Sequence, residues 1–577
     1  MRVLVFASAF NSLTQRITLE LSRRGHDIAV ALALGGGVRG EEELRSAVRR
    51  HDPELIVAPM LTSAVPEDVW SSRTCLIVHP GPPGDRGPSS LDWALSAGLR
   101  RWGVTVLQAV AEMDAGDIWA AEPFDIPDLP GGVAKSDLYR NELADAASRA
   151  VLRAVDRFAS GCYQPRPAPA GTVRPYYRQE LRHIDWSVDS TAMVSSTLRT
   201  ADSSPGVLDR IDGREFFLFG GRPEDGLRAP RHSRPGVFLA TRAGAVCRAT
   251  ADGAVWLTSA RARRTPGGPP TAKAPAATAL AAHLHGVPEV GVPLRLPDRR
   301  QTWSTVRYQE HGPVGVLRFS FPCGAMSTGD CRHLLAAYRQ ALTRPTRVLV
   351  LGADRDVFSH GIHLGAIEAS ADPARESWAN INAMDDLVEA ILTTDDRLTV
   401  AAVGGNAAAG GLMLALAADE VWVRDGAVLN PHYRLMGLHG SEYWTCTLPR
   451  RVGPDAAEQL TTDALPLGTW RALEMGLVDR VMDCTPQRVT EEVIGLAEAL
   501  ASAPRLRQRL ADKRGARERA EAERPLAWYR AEELAHMYRN FFDPGEPYHA
   551  LRRAFLHKSA PEATPERLQR IPIPAAA

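Results

Sequence analysis

A histidine and an aspartate, each set beside the end of an apolar strand, give this sequence its clearest acid–base chemistry. His79 closes the run CLIVHP and is followed by the Gly/Pro-rich turn GPPGDRGP, and Asp114 follows the strand-like run VTVLQAV at 104–110. An imidazole held by a carboxylate works as general acid and base near neutral pH. The order strand, turn, helix, strand across 75–110 predicts that both side chains reach the carboxyl edge of one open α/β sheet. That is the edge at which such sheets bind ligands.

The elements that must position this pair read as repeating α/β units. RVLVFAS (2–8) is a buried strand, SLTQRITLELSRRG (12–25) an amphipathic helix closing on glycine, and DIAVALAL (27–34) a second strand. The first turn, SAFNS, lacks G-x-G-x-x-G, which argues against a dinucleotide site. HDPELIVAPM (51–60) supplies another strand, and residues 135–161 form a long amphipathic helix that closes the domain. YQPRPAPAG (163–171) then reads as a Pro-rich linker.

The stretch VHPGPPGDRGPSSLDWAL, with GVTVLQAVAEMDAGDI after it, resembles the active-site segment of the 10-formyltetrahydrofolate-dependent formyltransferases. In that pattern a strand ends in Asn-x-His-Pro, and a Pro-rich turn, an Arg-Gly, a Trp-bearing helix and Met-Asp-x-Gly-Asp follow. The resemblance makes His79 and Asp114 the catalytic histidine and aspartate, and implies that Pro80, Gly81 and Arg86 line the folate site. Ile77 stands where the family has its asparagine, the group that steadies the charged tetrahedral intermediate. Asn11, at the end of the first strand, is the candidate replacement; it reads equally as a helix N-cap. RHIDWSVDSTAMVSSTLRTADSSPGV (182–207) resembles the segment that opens the small second domain of the same family. Glycine-separated short strands up to about residue 260 fit the β-barrel expected there.

From about residue 302 the pattern restarts. VGVLRFSF, RVLVLGAD, DVFSHGIHLGAIE, VAAVGGNAAAGGLMLALAADEVWV and ALEMGLVDRVMD occur in the order of the crotonase (enoyl-CoA hydratase/isomerase) superfamily, which this half resembles. Those enzymes hold a thioester carbonyl with two backbone N–H groups, donors worth on the order of 3 kcal/mol each in a transition state. By that pattern the donors are Ile362 and Gly410, with Gly361 and Gly411 beside them, and the ligand is a coenzyme A thioester. The two glutamates of the hydratases fall on Met413 and Tyr433, so addition of water to a double bond is disfavoured. Glu442, in the next loop, is the carboxylate expected to share the pocket with Tyr433. A carboxyl in an apolar acyl pocket has a raised pKa and suits proton transfer near neutrality.

The expected architecture is therefore α/β and multidomain. A formyltransferase-like open parallel sheet (1–165) precedes a small OB-like β-barrel (172–295), a crotonase-like ββα spiral (300–490) and a helical tail (491–577). At 577 residues, with 68 basic and 68 acidic side chains, the chain has no net charge and no basic stripe for nucleic acid. The charges of RLRQRLADKRGARERAEAER (505–524) alternate in sign, as on a solvated helix face. Seven scattered cysteines fit a reducing compartment, and no run approaches the roughly 18 apolar residues of a membrane span, so a cytoplasmic protein is expected. His360, His363, His432 and His439 lack the spacing of a metal shell, and no metal is expected.

Joined on one chain, the two halves resemble the HypX/HoxX family, maturation factors that make the carbon monoxide ligand of [NiFe]-hydrogenase. The resemblance implies two cofactor substrates, N10-formyltetrahydrofolate and coenzyme A, formyl-CoA as the shared intermediate, and maturation proteins carrying the iron centre as partners. Tyr433 and Glu442 would then release CO, with either one as the base. Formyl-CoA hydrolysis, another formyl transfer, or a non-catalytic folate- and CoA-binding scaffold are also compatible with these residues.

Overall fold

The computed structural model describes residues 1–34, 37–129, 131–297, 299–559 and 561–572, and the chain divides into two units. The first comprises Met1–His183, Arg199–Pro205 and the residues from Ser559 on; the second comprises Ile184–Leu198 and Gly206–Lys558.

In the first unit β1 (Arg2–Ala7) leads to helix α1 (Ser12–Arg23), which buries Leu13, Ile17 and Leu21 at four-residue spacing. β2 (Asp27–Leu32), β3 (Leu55–Met60) and β4 (Cys75–His79) follow. These strands are buried along nearly their whole length, as parallel strands covered on both faces must be. After β4 come β5 (Asp85–Arg86), helix α2 (Ser90–Ser96), β6 (Arg101–Gln108), β7 (Ile118–Asp125) and helix α3 (Ala144–Ala159). The sheet order is β2-β1-β3-β4-β6-β7, parallel as far as β4. β6 is antiparallel to β4, with His79 opposite Thr105 and Leu76 opposite Gln108, and β7 is antiparallel to β6.

The proline-rich stretch expected as a linker lies along this unit. Arg166 exchanges backbone hydrogen bonds with Ile118, and β8 (Thr172–Val173) pairs in parallel with β5. The segment after Ser559 returns to the sheet's outer strand: Ile571 N–H donates to Ile28 O (2.8 Å) and Thr564 Oγ1 accepts from Leu32 N–H (3.0 Å). Leu568 and Ile571 are buried there.

The second unit opens with an antiparallel sheet of β9 (Val207–Ile211), β10 (Arg214–Glu224), β11 (Phe238–Arg242), β12 (Ala245–Ala249), β13 (Ala254–Ala262) and β14 (Ala274–Pro275). Its order is β11-β12-β13-β10-β9, with β14 on β13. A second sheet runs β15 (Val306–His311), β16 (Val314–Phe319), β17 (Val348–Gly352), β18 (Leu398–Val403), β20 (Glu420–Arg424) and β23 (Arg480–Met482), parallel after its first hairpin. A small third sheet joins β19 (Ala407–Ala408), β21 (Val428–Asn430) and β22 (Leu467–Gly468). This is the crotonase-type spiral.

Its helices include α4 (Thr328–Leu342), α5 (Pro373–Leu392), α6 (Gly410–Leu416) and α7 (Trp444–Val452). Then come α8 (Leu506–Glu523), α9 (Leu526–Phe542) and α10 (Tyr548–Leu556). α8 buries only Leu506, as its alternating charges suggest, whereas α9 buries Glu533, Met537 and Phe541 along one stripe. No helix of the described residues is long and apolar enough to cross a membrane.

Candidate active sites

In the first unit His79 sits at the carboxyl end of β4, 4 % exposed, between two carboxylates. Its Nε2 lies 2.9 Å from Asp85 Oδ2, and its Nδ1 lies 3.5 Å from Asp114 Oδ2. Asp114 reaches the histidine by a route other than the expected one. Because β6 is antiparallel to β4, its carboxyl end opens on the opposite edge of the sheet. Residues 109–117 therefore fold back along β4, with Asp114 in the left-handed region (φ 54°) and its Oδ2 accepting from Gly87 N–H at 3.1 Å.

Asp85, which the sequence reading passed over, is the more tightly held carboxylate. Its Oδ1 accepts from Arg174 Nε (2.6 Å), and its Oδ2 lies 2.8 Å from Ser90 Oγ. Burial pushes its carboxyl pKa up, but the hydrogen bonds from His79, Arg174 and Ser90 outweigh burial and leave it below the usual value. The loop around the pair is fixed by its own backbone: Trp102 Nε1–H reaches Pro80 O, and Thr105 Oγ1–H donates to Gly81 O. A Cβ on Gly81 would overlap both the His79 ring and the Asp85 carboxylate, so glycine there is what lets the two meet. Arg86 pairs with Glu112 at 2.8 Å.

Ile77 brings no polar atom to the face it shares with His79. Asn11 is committed locally: its Oδ1 caps α1 by accepting from Thr14 N–H (3.0 Å), and its Nδ2 donates to the Tyr139 hydroxyl (3.1 Å).

In the second unit Tyr433 and Glu442 meet: the Tyr433 hydroxyl donates to Glu442 Oε2 at 2.7 Å, and both side chains are buried. The carboxylate lies against the start of α6, where a Cβ on Gly410 would overlap its Oε1. A Cβ on Gly361 would come within 3.2 Å of the Gly410 nitrogen, so the peptides at 361–362 and 410 run side by side. Among the described residues no backbone acceptor takes the N–H of Ile362 or Gly410. Ala409, just before, holds φ 47° and ψ −131°, a strained conformation for a residue with a Cβ.

Glu442 and Tyr443 are both left-handed (φ 62° and 58°), and two further buried acids hold that turn. Asp385 of α5 accepts from Glu442 N–H (2.8 Å) and Ser441 Oγ–H (2.8 Å). Glu533 of α9 accepts from Tyr443 N–H (2.8 Å), Thr445 N–H (2.9 Å) and Thr445 Oγ1–H (2.5 Å). Burial, reinforced by the charge of Asp385 and Glu533, pushes the Glu442 carboxyl up to about 8. Burial likewise raises Asp385 and Glu533 to about 7 each. Tyr433 is held well above its ordinary value by burial and by the neighbouring carboxylate.

Asp385 and Glu533 escaped the sequence reading. The available signal was an acid on an apolar stripe: Ile381-Asp385-Val388 in one helix, Glu533-Met537-Phe541 in the other. The four histidines lie apart in role. His363 Nδ1 accepts from Ala366 N–H, His360 Nδ1 lies 3.1 Å from Cys323 O, His432 is buried, and His439 stacks on His536 with centroids 4.3 Å apart.

Comparisons with known proteins match two regions of the chain. Residues 33–155 match the formyl transferase family model, and residues 312–546 match the enoyl-CoA hydratase/isomerase model. The fold is thus that of a formyltransferase-like and a crotonase-like region joined in one chain. Over its full length the chain is 45 % identical to the hydrogenase maturation factor HoxX of Bradyrhizobium diazoefficiens, with 99 % of this chain and 98 % of that protein covered. The crystal structure of HypX from Aquifex aeolicus in complex with tetrahydrofolic acid superposes with a TM-score of 0.93 at 38 % identity, covering 99 % of this chain and 98 % of that one. A methionyl-tRNA formyltransferase of Acidiphilium cryptum is 30 % identical over 241 residues, 39 % of this chain and 75 % of that protein. The chain belongs to the HoxX/HypX family of hydrogenase maturation factors.

Proposed function

We propose that the protein makes carbon monoxide for a hydrogenase iron centre in two steps, formyl transfer from N10-formyltetrahydrofolate to coenzyme A and decarbonylation of formyl-CoA. The observation that carries this reading is the buried Tyr433–Glu442 pair set against Gly410, in a crotonase-type pocket that lacks the glutamates of a hydratase. Folate as the one-carbon carrier is supported by the tetrahydrofolate complex of the Aquifex relative. Coenzyme A is the ligand that the crotonase-type region favours.

In the first step the CoA sulfur attacks the formyl carbon, His79 takes the thiol proton, and the C–N bond to the folate breaks as that proton passes to the departing nitrogen. Asp114, 3.5 Å from the ring, flanks the reacting groups. Asn11, the candidate substitute for the missing asparagine, acts in this reading at a distance, through the Tyr139 hydroxyl that it holds.

In the second step the thioester carbonyl faces the N–H groups of Ile362 and Gly410. Glu442 takes the formyl proton, the C–H electron pair becomes the carbon lone pair of CO, and the C–S pair leaves with sulfur, which recovers the proton from Glu442. Tyr433 donates a hydrogen bond to the carboxylate throughout. A carboxyl near 8 is a stronger base than an ordinary glutamate and still loses its proton close to physiological pH.

The test is headspace CO from the full chain given formyltetrahydrofolate and CoA, with Glu442→Gln and His79→Ala alongside. CO should require both residues. Glu442→Gln should still consume formyltetrahydrofolate, and formyl-CoA supplied directly should restore CO to His79→Ala. Formate in place of CO would move the second site to hydrolysis.

A further inference from the structure

The carboxylate nearest His79 is not the one on which the expected acid–base pair rests. Nε2 to Asp85 is 2.9 Å, inside hydrogen-bond range, whereas Nδ1 to Asp114 is 3.5 Å, outside it. A neutral imidazole carries a single N–H, so one ring nitrogen donates and the other accepts. Which is which follows from the state of Asp85. The Arg174 guanidinium lies against one of its oxygens and the Ser90 hydroxyl lies against the other, and two such donors favour the ionised form. An ionised carboxylate has no proton to give to Nε2. The ring hydrogen is therefore on Nε2, and the lone pair is on Nδ1, the nitrogen that faces Asp114.

We propose that Asp85, kept ionised by Arg174, is the positioning residue that fixes the His79 tautomer and balances its charge during formyl transfer, and that Asp114 faces the reacting groups instead of orienting the ring. The proposal rests on His79 being the proton carrier of the first step. As the S–C bond forms, Nδ1 takes the thiol proton and the ring becomes an imidazolium with both nitrogens protonated. Asp85 lies against its Nε2–H throughout. The Nδ1 proton then passes to the leaving nitrogen as the C–N bond breaks, and the ring returns to its starting tautomer.

Arg174 comes from the segment that follows the proline-rich stretch. It directly follows β8, which pairs with β5; Arg174 N–H donates to Arg86 O (2.8 Å), and its guanidinium lies 5.6 Å from the centre of the Trp102 ring. The strand that leaves the catalytic domain thus supplies a working part of its active site.

The test uses the full chain: pH profiles of kcat for CoA-dependent consumption of formyltetrahydrofolate, with tetrahydrofolate binding measured separately. The variants are Asp85→Asn, Arg174→Lys, Arg174→Gln, Asp114→Asn and His79→Ala. Asp85→Asn should lower kcat by about 10²- to 10⁴-fold, the scale of loss when a histidine is held in the wrong tautomer. Its acidic limb should move down by about one pH unit, because the imidazolium loses a nearby negative charge. Tetrahydrofolate binding should stay within about threefold, and Arg174→Lys should retain more activity than Arg174→Gln. If Asp85→Asn keeps kcat within about threefold while His79→Ala is inactive, Asp85 has no such role. If Asp85→Asn loses activity equally at every pH together with tetrahydrofolate binding, the Asp85–Arg174 pair only ties the loop down, and the proposal falls. Activity retained by His79→Ala would instead overturn the reading of the first step.

Discussion

A single methyl group separates working from blocked geometry at both sites. At Gly81 it would fall on the His79–Asp85 pair, and at Gly410 on the Glu442 carboxylate. Filling such a volume typically costs about 1–3 kcal/mol and displaces the side chain that occupied it. Gly81→Ala should therefore lose formyltetrahydrofolate consumption and keep CO release from added formyl-CoA, while Gly410→Ala should show the reverse. Assaying the two half-reactions separately checks both. The residues legible in the sequence were those carried by a motif or a family position: His79, Asp114, Tyr433 and Glu442. Asp85 lay inside the same motif yet gave no signal, because Gly-Asp-Arg-Gly reads as turn chemistry until its hydrogen bonds are seen. Asp385 and Glu533 act across separations of 57 and 90 residues, which no local spacing records.

Among the elements, α9 illustrates how a charged helix can hide a structural duty. Its Glu533 and the Asp385 of α5 clamp the left-handed turn that presents Glu442. All three acids are held above their ordinary values by burial, so the folded state binds more protons than the unfolded chain between about pH 4 and pH 8. Their contribution to stability is full below the unfolded carboxyl range and is lost as pH rises through about 7 to 8. The melting temperature of the second unit should fall between pH 5.5 and 8.5, on the order of 5 °C. Glu533→Gln should flatten that dependence and reduce CO formation while sparing formyl transfer. Calorimetry across pH, with the two half-reactions alongside, tests this.

The direction of β6 was the element that sequence reading placed differently. A strand, a helix and a strand suggest a crossover and a parallel neighbour. α2, however, has only seven residues, about 10 Å of helix, too short to cross the sheet from edge to edge. The chain turns back on the same edge instead, and the following loop carries Asp114 home.

At the scale of the molecule the first unit is not continuous in sequence. Its outer strand β2 is met at Ile28 and Leu32 by residues 564–571, which follow the whole of the second unit. Burial of Leu568 and Ile571 contributes about 1.5–3 kcal/mol each. Deleting the chain from Ser559 on should lower the unfolding transition that tetrahydrofolate raises and weaken tetrahydrofolate binding, leaving the other transition in place. Scanning calorimetry with and without tetrahydrofolate resolves the two. This closure was invisible in the sequence because a short apolar segment near residue 570 names no partner.

That late closure also sets a schedule for the ribosome. At ordinary rates of synthesis, on the order of half a minute passes between emergence of the loops around His79 and emergence of the segment that meets β2. During that interval the nascent first unit presents a bare strand edge, the feature by which unfinished sheets attract chaperones or pair with one another. A message cut short anywhere upstream of residue 559 leaves the edge bare permanently.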